Sequence, residues 1–386
     1  MSDDNKDSDE SKKMNFFWEA QDYKSNFHKL YETLNNLQNI NFNYPFLVNN
    51  LPSTRKSTSD TAIRHLKEAY QNGNLNFVLG AGISSEFGIP EWENLLQRLL
   101  MTTIEEQTEK AVILSKFFSK IFNPSPLIAG RFLEDSFKDD KVKNKFEKHV
   151  RKALYETFDE KAESLIIEEI IKFCLAPGHS PNLDGIITYN YDDIIETKLK
   201  EKDLDMPFES VYGQAINPDN NVLKIYHVHG FLPRTGNLNN ENRITLGEFV
   251  YHEQYVNTYS WNNIVQINKF RDKICLFIGT SLTDPNIRRL LDIAKSQKKS
   301  NKYHYIFKKK IDKKWLKTTI NKIISENPEY ANDKNNNNLK LEETIDFLIE
   351  MKNRFEEKDS ESLGVKTVWI DDYDKDISEI LKKIRH

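Results

Sequence analysis

Residues 75–100 read LNFVLGAGISSEFGIPEWENLLQRLL, and the change of pattern inside this stretch decides the fold. Leu75, Phe77, Val78 and Leu79 form an apolar run that stops at Gly80-Ala81-Gly82, and the polar pair Ser84-Ser85 follows. That order is expected where a buried strand turns sharply into a helix N-terminus. Gly80 and Gly82 carry no Cβ to hold a phosphate off the backbone, and the N–H groups that start the next helix offer donors to an anion. Pro90 suits a first helical position, and Trp92, Leu95, Leu96, Leu99 and Leu100 recur at helical spacing. The glycines depart from G-x-G-x-x-G, because Gly88 comes six residues after Gly82, and no Lys-Ser/Thr pair completes a P-loop. On the glycines alone, a tight turn with no ligand is an equal reading.

The chain has 386 residues, 55 basic and 59 acidic, with a formal net charge of -4. That length allows a full core and even two lobes, and the near balance of charge supplies no general drive toward nucleic acid. Two cysteines, Cys174 and Cys275, stand far apart in apolar contexts. They cannot form a two-pair zinc module or a disulfide scaffold, and read as buried thiols of a reducing cytoplasm. The acidic N-terminus lacks the basic and apolar regions of a leader, and no run approaches a membrane span. The expectation is a soluble cytoplasmic protein without membrane or direct nucleic-acid contact.

Residues 1–59 form an N-terminal extension, too polar to order at least to about residue 14 and then studded with aromatics from Phe16 to Tyr31. A helix over 60–71, stopped by Gly73, leads into the first strand. From 91 to 178 the pattern is helical, with Leu114, Phe117, Phe118 and Ile121, then Val142, Phe146, Val150 and Leu154, then Leu165 to Phe173; it reads as a lobe inserted after the first strand. Further strand-like runs follow at 185–189, 224–228, 274–278, 303–307 and 365–370, and a last helix carries Ile377, Ile380, Leu381 and Ile384 on one face. Ala331 to Asn338 reads as a surface loop. Residues 60–386 are therefore expected to be one α/β domain, a mainly parallel sheet of about six strands with helices on both faces.

In such sheets ligands bind beyond the carboxyl ends of the strands. There the chain places Gly80-Ala81-Gly82-Ile83-Ser84, Asn190-Tyr191-Asp192, His227-Val228-His229-Gly230 and Gly279-Thr280-Ser281-Leu282-Thr283-Asp284. Asp192 and Asp284 each have a capping role open to them, Asp284 with Pro285 behind it, and Asn190 could simply take a left-handed turn. His227 and His229 alternate along one strand, but no third ligand at a recognised spacing completes a metal site, and none is expected.

GAGIS with GIP downstream, Y-N-Y-D, V-H-G and G-T-S-L, in this order over roughly Leu75 to Asp284, resemble the sirtuin family of NAD-consuming proteins. The resemblance implies a Rossmann-like site for NAD, bound as substrate. Gly80, Ala81, Gly82 and Ser84 would hold its pyrophosphate and adenosine side, Gly279, Thr280 and Ser281 would line the adenosine half, and Ile83 and Asp284 would also contact NAD. Asn190 and Asp192 would lie beside the nicotinamide ribose, and Asn190 and His229, the latter as general base, would be catalytic. The deacylases' four-cysteine zinc module is missing, Tyr189 stands where they have a glutamine, and Glu91-Trp92-Glu93 follows GIP. The pattern is thus closer to bacterial sirtuin-like antiphage effectors that hydrolyse NAD, some of them paired with HerA-type ATPases. What this implies is an NAD hydrolase without zinc; the aromatics of the N-terminal segment and the surface of the helical lobe add the expectation of a homo-oligomer that contacts its neighbours through one of them, activated by a separate ATPase or a phage protein. The alternatives are NAD-dependent deacylation or ADP-ribosyl transfer, and a module that senses NAD or ADP-ribose without turnover.

Overall fold

Five-residue apolar runs become strands here because both faces of the sheet are covered. In a computed structural model, which describes residues 55–105, 126–137, 144–175, 183–202, 208–213, 222–298, 303–326 and 341–386, seven parallel strands form one sheet. They are β1 (Leu75–Leu79), β2 (Leu183–Thr188), β3 (Phe208–Val211), β4 (Leu223–His227), β5 (Ile274–Ile278), β6 (His304–Lys309) and β7 (Val365–Ile370), in the order β3-β4-β2-β1-β5-β6-β7. The expected N-terminal aromatics, the helix through Leu114 and Ile121, Val142 and the 331–338 loop lie outside the described residues.

Alternation along the central strands feeds two cores. Leu75, Phe77 and Leu79 of β1 face one of them, and Val78 faces the other. The first core is closed by α1 (Arg55–Gln71), α5 (Leu165–Cys174) and α12 (Tyr373–Arg385). Phe173 of α5 meets the rings of Phe77 and Tyr70 edge-on at 5.0 and 4.7 Å. The second is closed by α8 (Trp261–Asp272) and α9 (Pro285–Gln297), through Val265, Phe270, Ile287 and Leu290. Between β1 and α5 run α2 (Trp92–Glu105), α3 (Pro126–Phe137) and α4 (Lys145–Leu154). The other described helices are α6 (Ile194–Lys200) after β2, α7 (Glu248–Val256) before α8, and α10 (Lys313–Glu326) and α11 (Leu341–Ser362) between β6 and β7.

Two features depart from the sequence reading. The sheet has seven strands where about six are expected, because β3 is a four-residue edge strand, FESV, of which only Val211 is buried, too short a run to carry a strand signal before β4 pairs with it. The glycine stretch also does not run straight into a helix. Two short 3₁₀ turns, Ala81–Ile83 and Ser85–Phe87, follow β1; Gly88 ends the second at φ 75°, and α2 starts only at Trp92, past Pro90.

The turn is dictated by a neighbour. Gly80 N donates to Ile278 O and Gly82 N to Gly279 O, each at 3.0 Å, so the β1 and β5 loops touch backbone to backbone. A Cβ on Gly80 would stand 2.5 Å from Gly279 O. Chain order reverses between β1 and β5, which makes this crossing the topological switch point where a crevice opens in doubly wound sheets. Gly80→Ala should therefore lower stability by roughly 1–3 kcal/mol, the scale of a strained backbone or an overpacked site, read as a fall in the urea midpoint at unchanged slope.

Candidate active site

Asn190 leaves the end of β2 pointing back at the β1 loop. Its Nδ2 donates to Gly80 O and to Ser84 Oγ, both at 3.1 Å, and its own N–H donates to Thr188 Oγ1. Both amide hydrogens are thereby used, and Oδ1 is left as the atom able to accept from a ligand. Ser84 is fully buried and Ile83 packs beneath the loop, while Ala81 and Gly82 are half-buried. The N–H groups of Gly80 and Gly82 are committed to the β5 strand and loop, so the two glycines themselves offer no anion donor. Hydroxyl groups gather there instead. A cleft of about 650 Å³ is bordered by Gly82, Ser85, Gly279, Thr280, Ser281 and Tyr373, and the buried Tyr373 hydroxyl has no hydrogen-bond partner.

Asp192 lies under the same turn. Its Oδ1 accepts from Ile194 N at 3.2 Å, while Oδ2 is buried without a partner; the N-cap position of α6 expected for it belongs to Asp193 instead. Burial pushes its carboxyl up to about 6, and the Ile194 N–H and the Ser84 side chain only partly oppose that.

The two histidines of β4 and its turn have different surroundings. His227 is locked: Nδ1 faces Asn190 O at 3.2 Å and Nε2 faces Glu196 Oε1 at 2.7 Å, and Ser210 Oγ donates to the same oxygen at 2.8 Å. Burial alone would raise Glu196, but the contacts with His227 and Ser210 win and hold its carboxyl below the usual range. With both ring nitrogens engaged, His227 has nothing to offer a ligand. His229 is held by packing instead, with the Tyr189 ring edge-on at 4.8 Å and its carbonyl bonded to Thr245 N at 2.7 Å. Its Nε2 is buried, makes no hydrogen bond, and lies 3.7 Å from Asp284 Oδ2. Asp284 does cap α9, with Oδ1 accepting from Ile287 N at 2.8 Å and Pro285 next.

Of the residues named from sequence, the structure thus joins Asn190 to Gly80 and Ser84, Gly82 to Gly279, and His229 to Asp284. Thr280 and Ser281 border the cleft, with Ser281 Oγ bonded to Thr283 Oγ1. Asn190, Asp192 and His229 are all buried, at 8, 5 and 7 % exposure, so none of the three stands open to solvent. Sequence reasoning passes over Glu196 and Tyr251. Glu196 leaves a trace as an acid beside Ile194, Ile195 and Leu199, whereas Tyr251 sits in a connection whose pattern says nothing about the site.

Residues 184–335 match the model of the SIR2-like domain. The chain is also 25% identical over 328 residues to NAD(+) hydrolase ThsA of Enterococcus faecium, an alignment covering 84% of this chain and 57% of that protein. The chain thus spans a little over half the length of this curated relative. Among the described residues no helix is long and apolar enough to cross a membrane.

The unlike surroundings of the histidines should separate in unfolding experiments. His227→Ala strips a buried carboxylate of its partner and should cost about 3–5 kcal/mol, whereas His229→Ala should cost about 1 kcal/mol or less. Asp192→Asn should stabilise the fold. A carboxyl raised from 3.8 to about 6 favours the folded state only while protonated, so stability is lost as pH rises through that window. The gain should be of order 1–3 kcal/mol above pH 6 and vanish near pH 4, as read from urea midpoints across pH.

Proposed function

We propose that this chain, with its SIR2-like domain, hydrolyses the nicotinamide–ribose bond of NAD to give nicotinamide and ADP-ribose. The observation that carries the reading is that the Gly80–Ser84 loop with Asn190 bonded to it, and the unpartnered Nε2 of His229, lie at the carboxyl ends of the neighbouring strands β1, β2 and β4, next to the switch point. The similarity to an NAD(+) hydrolase supports it.

The residues fit that reaction. When the C1′–N bond breaks, its electron pair leaves with the nicotinamide ring nitrogen, whose positive charge in NAD makes it a good leaving group. A paired-carboxylate acid is not needed. Asn190 Oδ1 accepts a hydrogen bond from a ribose hydroxyl or the attacking water, and His229 Nε2 takes the proton as the water oxygen bonds to C1′. The Ser85, Thr280, Ser281 and Tyr373 hydroxyls of the neighbouring cleft suit the pyrophosphate and adenosine half. Burial of Asn190 and His229 fits an enzyme whose turnover waits on an opening event, as a hydrolase that depletes NAD during phage infection would need.

The purified chain incubated with NAD, with and without an acyl-lysine peptide, should release nicotinamide and ADP-ribose without peptide. Asn190→Ala and His229→Ala should each lower the rate by about 10²- to 10⁴-fold. In infected cells NAD should fall with the wild-type chain and not with His229→Ala. Release only with the peptide would replace hydrolysis by deacylation, and NAD binding without release, alone and in infected-cell extract, would make the chain a sensor.

A further inference from the structure

We infer that Asp284 is the charge partner of His229, a positioning carboxylate built to hold the imidazolium formed when Nε2 takes a proton; the inference rests on the base role given to His229 above. In that step a water O–H bond breaks, its electron pair stays on oxygen to form the bond to C1′, and the proton passes to Nε2. The positive charge then needs a counter-charge inside a buried pocket.

Asp284 is placed to supply it, and its two oxygens have separate tasks. Oδ1 caps α9 through Ile287 N, which fixes the carboxyl plane. Oδ2 accepts from the Tyr251 hydroxyl and lies 3.7 Å from Nε2, a gap that a small tilt of the imidazolium would close. The ring cannot leave, because Tyr189 from the end of β2 and Tyr251 from α7 both meet it edge-on, at 4.8 and 6.0 Å. These two phenols and Asp284 are the titratable groups that face His229. Burial pushes both phenols well above the ordinary range, so they remain neutral. Burial also pushes His229 below its ordinary value, and Asp284 pushes back. The capping role foreseen from sequence is real, but it engages only one oxygen.

Asparagine caps helices as well as aspartate does, so Asp284→Asn retains the Oδ1 contact while it removes the charge and replaces the Oδ2 acceptor of the Tyr251 hydroxyl by an N–H donor; Tyr251→Phe controls for loss of that hydrogen bond. The test is the titration of His229 in the full chain, followed by NMR of ring-labelled histidine and assigned with His229→Gln, together with pH–rate profiles on NAD. In Asp284→Asn the His229 midpoint should fall by about one pH unit or more, or protonation should disappear from the accessible range. The acid limb of the kcat profile should move the same way, and kcat should drop about tenfold or more at unchanged KM. Tyr251→Phe, which frees Oδ2, should leave the midpoint in place or raise it. An unchanged midpoint in Asp284→Asn, a downward shift in both variants, or a rise in KM at constant kcat would overturn the assignment; the last would make Asp284 a ligand contact. Ring titration needs no turnover, so an inactive wild-type chain would count against NAD hydrolysis and leave this inference to the midpoints.

Discussion

Two backbone hydrogen bonds, Gly80 N to Ile278 O and Gly82 N to Gly279 O, hold together the place where the chain reverses its direction of winding. They require backbone contact, and backbone contact requires the absence of Cβ atoms on both sides: Gly279 has φ 73°, and a Cβ there would sit 2.8 Å from Ile83 N. Once the β1 loop is pinned in this way, Gly80 O and Ser84 Oγ become fixed acceptors for the Asn190 amide, and the end of β2 is tied to the end of β1. The glycines that look like a phosphate cradle thus do structural work first. Hydroxyl groups around the adjoining cleft are what remains to meet a ligand.

A second constraint comes from burial of polar groups. A polar atom in a low-dielectric interior needs a partner, and the site meets that demand unevenly. Glu196 Oε1, the His227 ring, Ser210 Oγ and the Asn190 carbonyl engage one another and stiffen the ends of β2 and β4, although Glu196 Oε2 is buried without a partner. His229 Nε2, Asp192 Oδ2 and the Tyr373 hydroxyl are left without partners. Buried atoms without a partner also occur elsewhere among the described residues, Asn76 Oδ1 of β1 and Thr367 Oγ1 of β7 among them, so it is their chemistry at the strand ends and not their number that suits a ligand. The two histidines make the contrast within three residues, since the ring of one is hydrogen-bonded into the framework and the ring of the other lies between aromatic edges with its Nε2 unbonded.

Composition and period were enough to identify the strands β1, β2, β4, β5, β6 and β7, because a parallel sheet covered on both faces needs near-continuous apolar runs, and five such runs after Leu79 have no competing period. The motifs at the strand ends were legible for a related reason: polar residues directly after a buried strand must lie along one edge of the sheet. Asp284 before Pro285 likewise declared its cap, since capping is local chemistry. Edge strand β3 was not legible, because a run as short as FESV owes its conformation to pairing with β4 rather than to its own pattern.

What the sequence determined by itself was therefore the set of candidates: an α/β sheet, a glycine turn, one asparagine, two histidines and two aspartates at the strand ends. Tertiary structure alone decided the surroundings of each candidate. His227 and His229 carry the same signal in the chain, and only the arrival of Glu196 from α6 and of Asp284 and Tyr251 from α9 and α7 separates them. Those partners lie between 22 and 55 residues away in sequence, roughly, and no local rule relates them. Hydrogen bonds and charge pairs depend on distances of a few ångströms, which the packed fold sets and the linear order of residues does not.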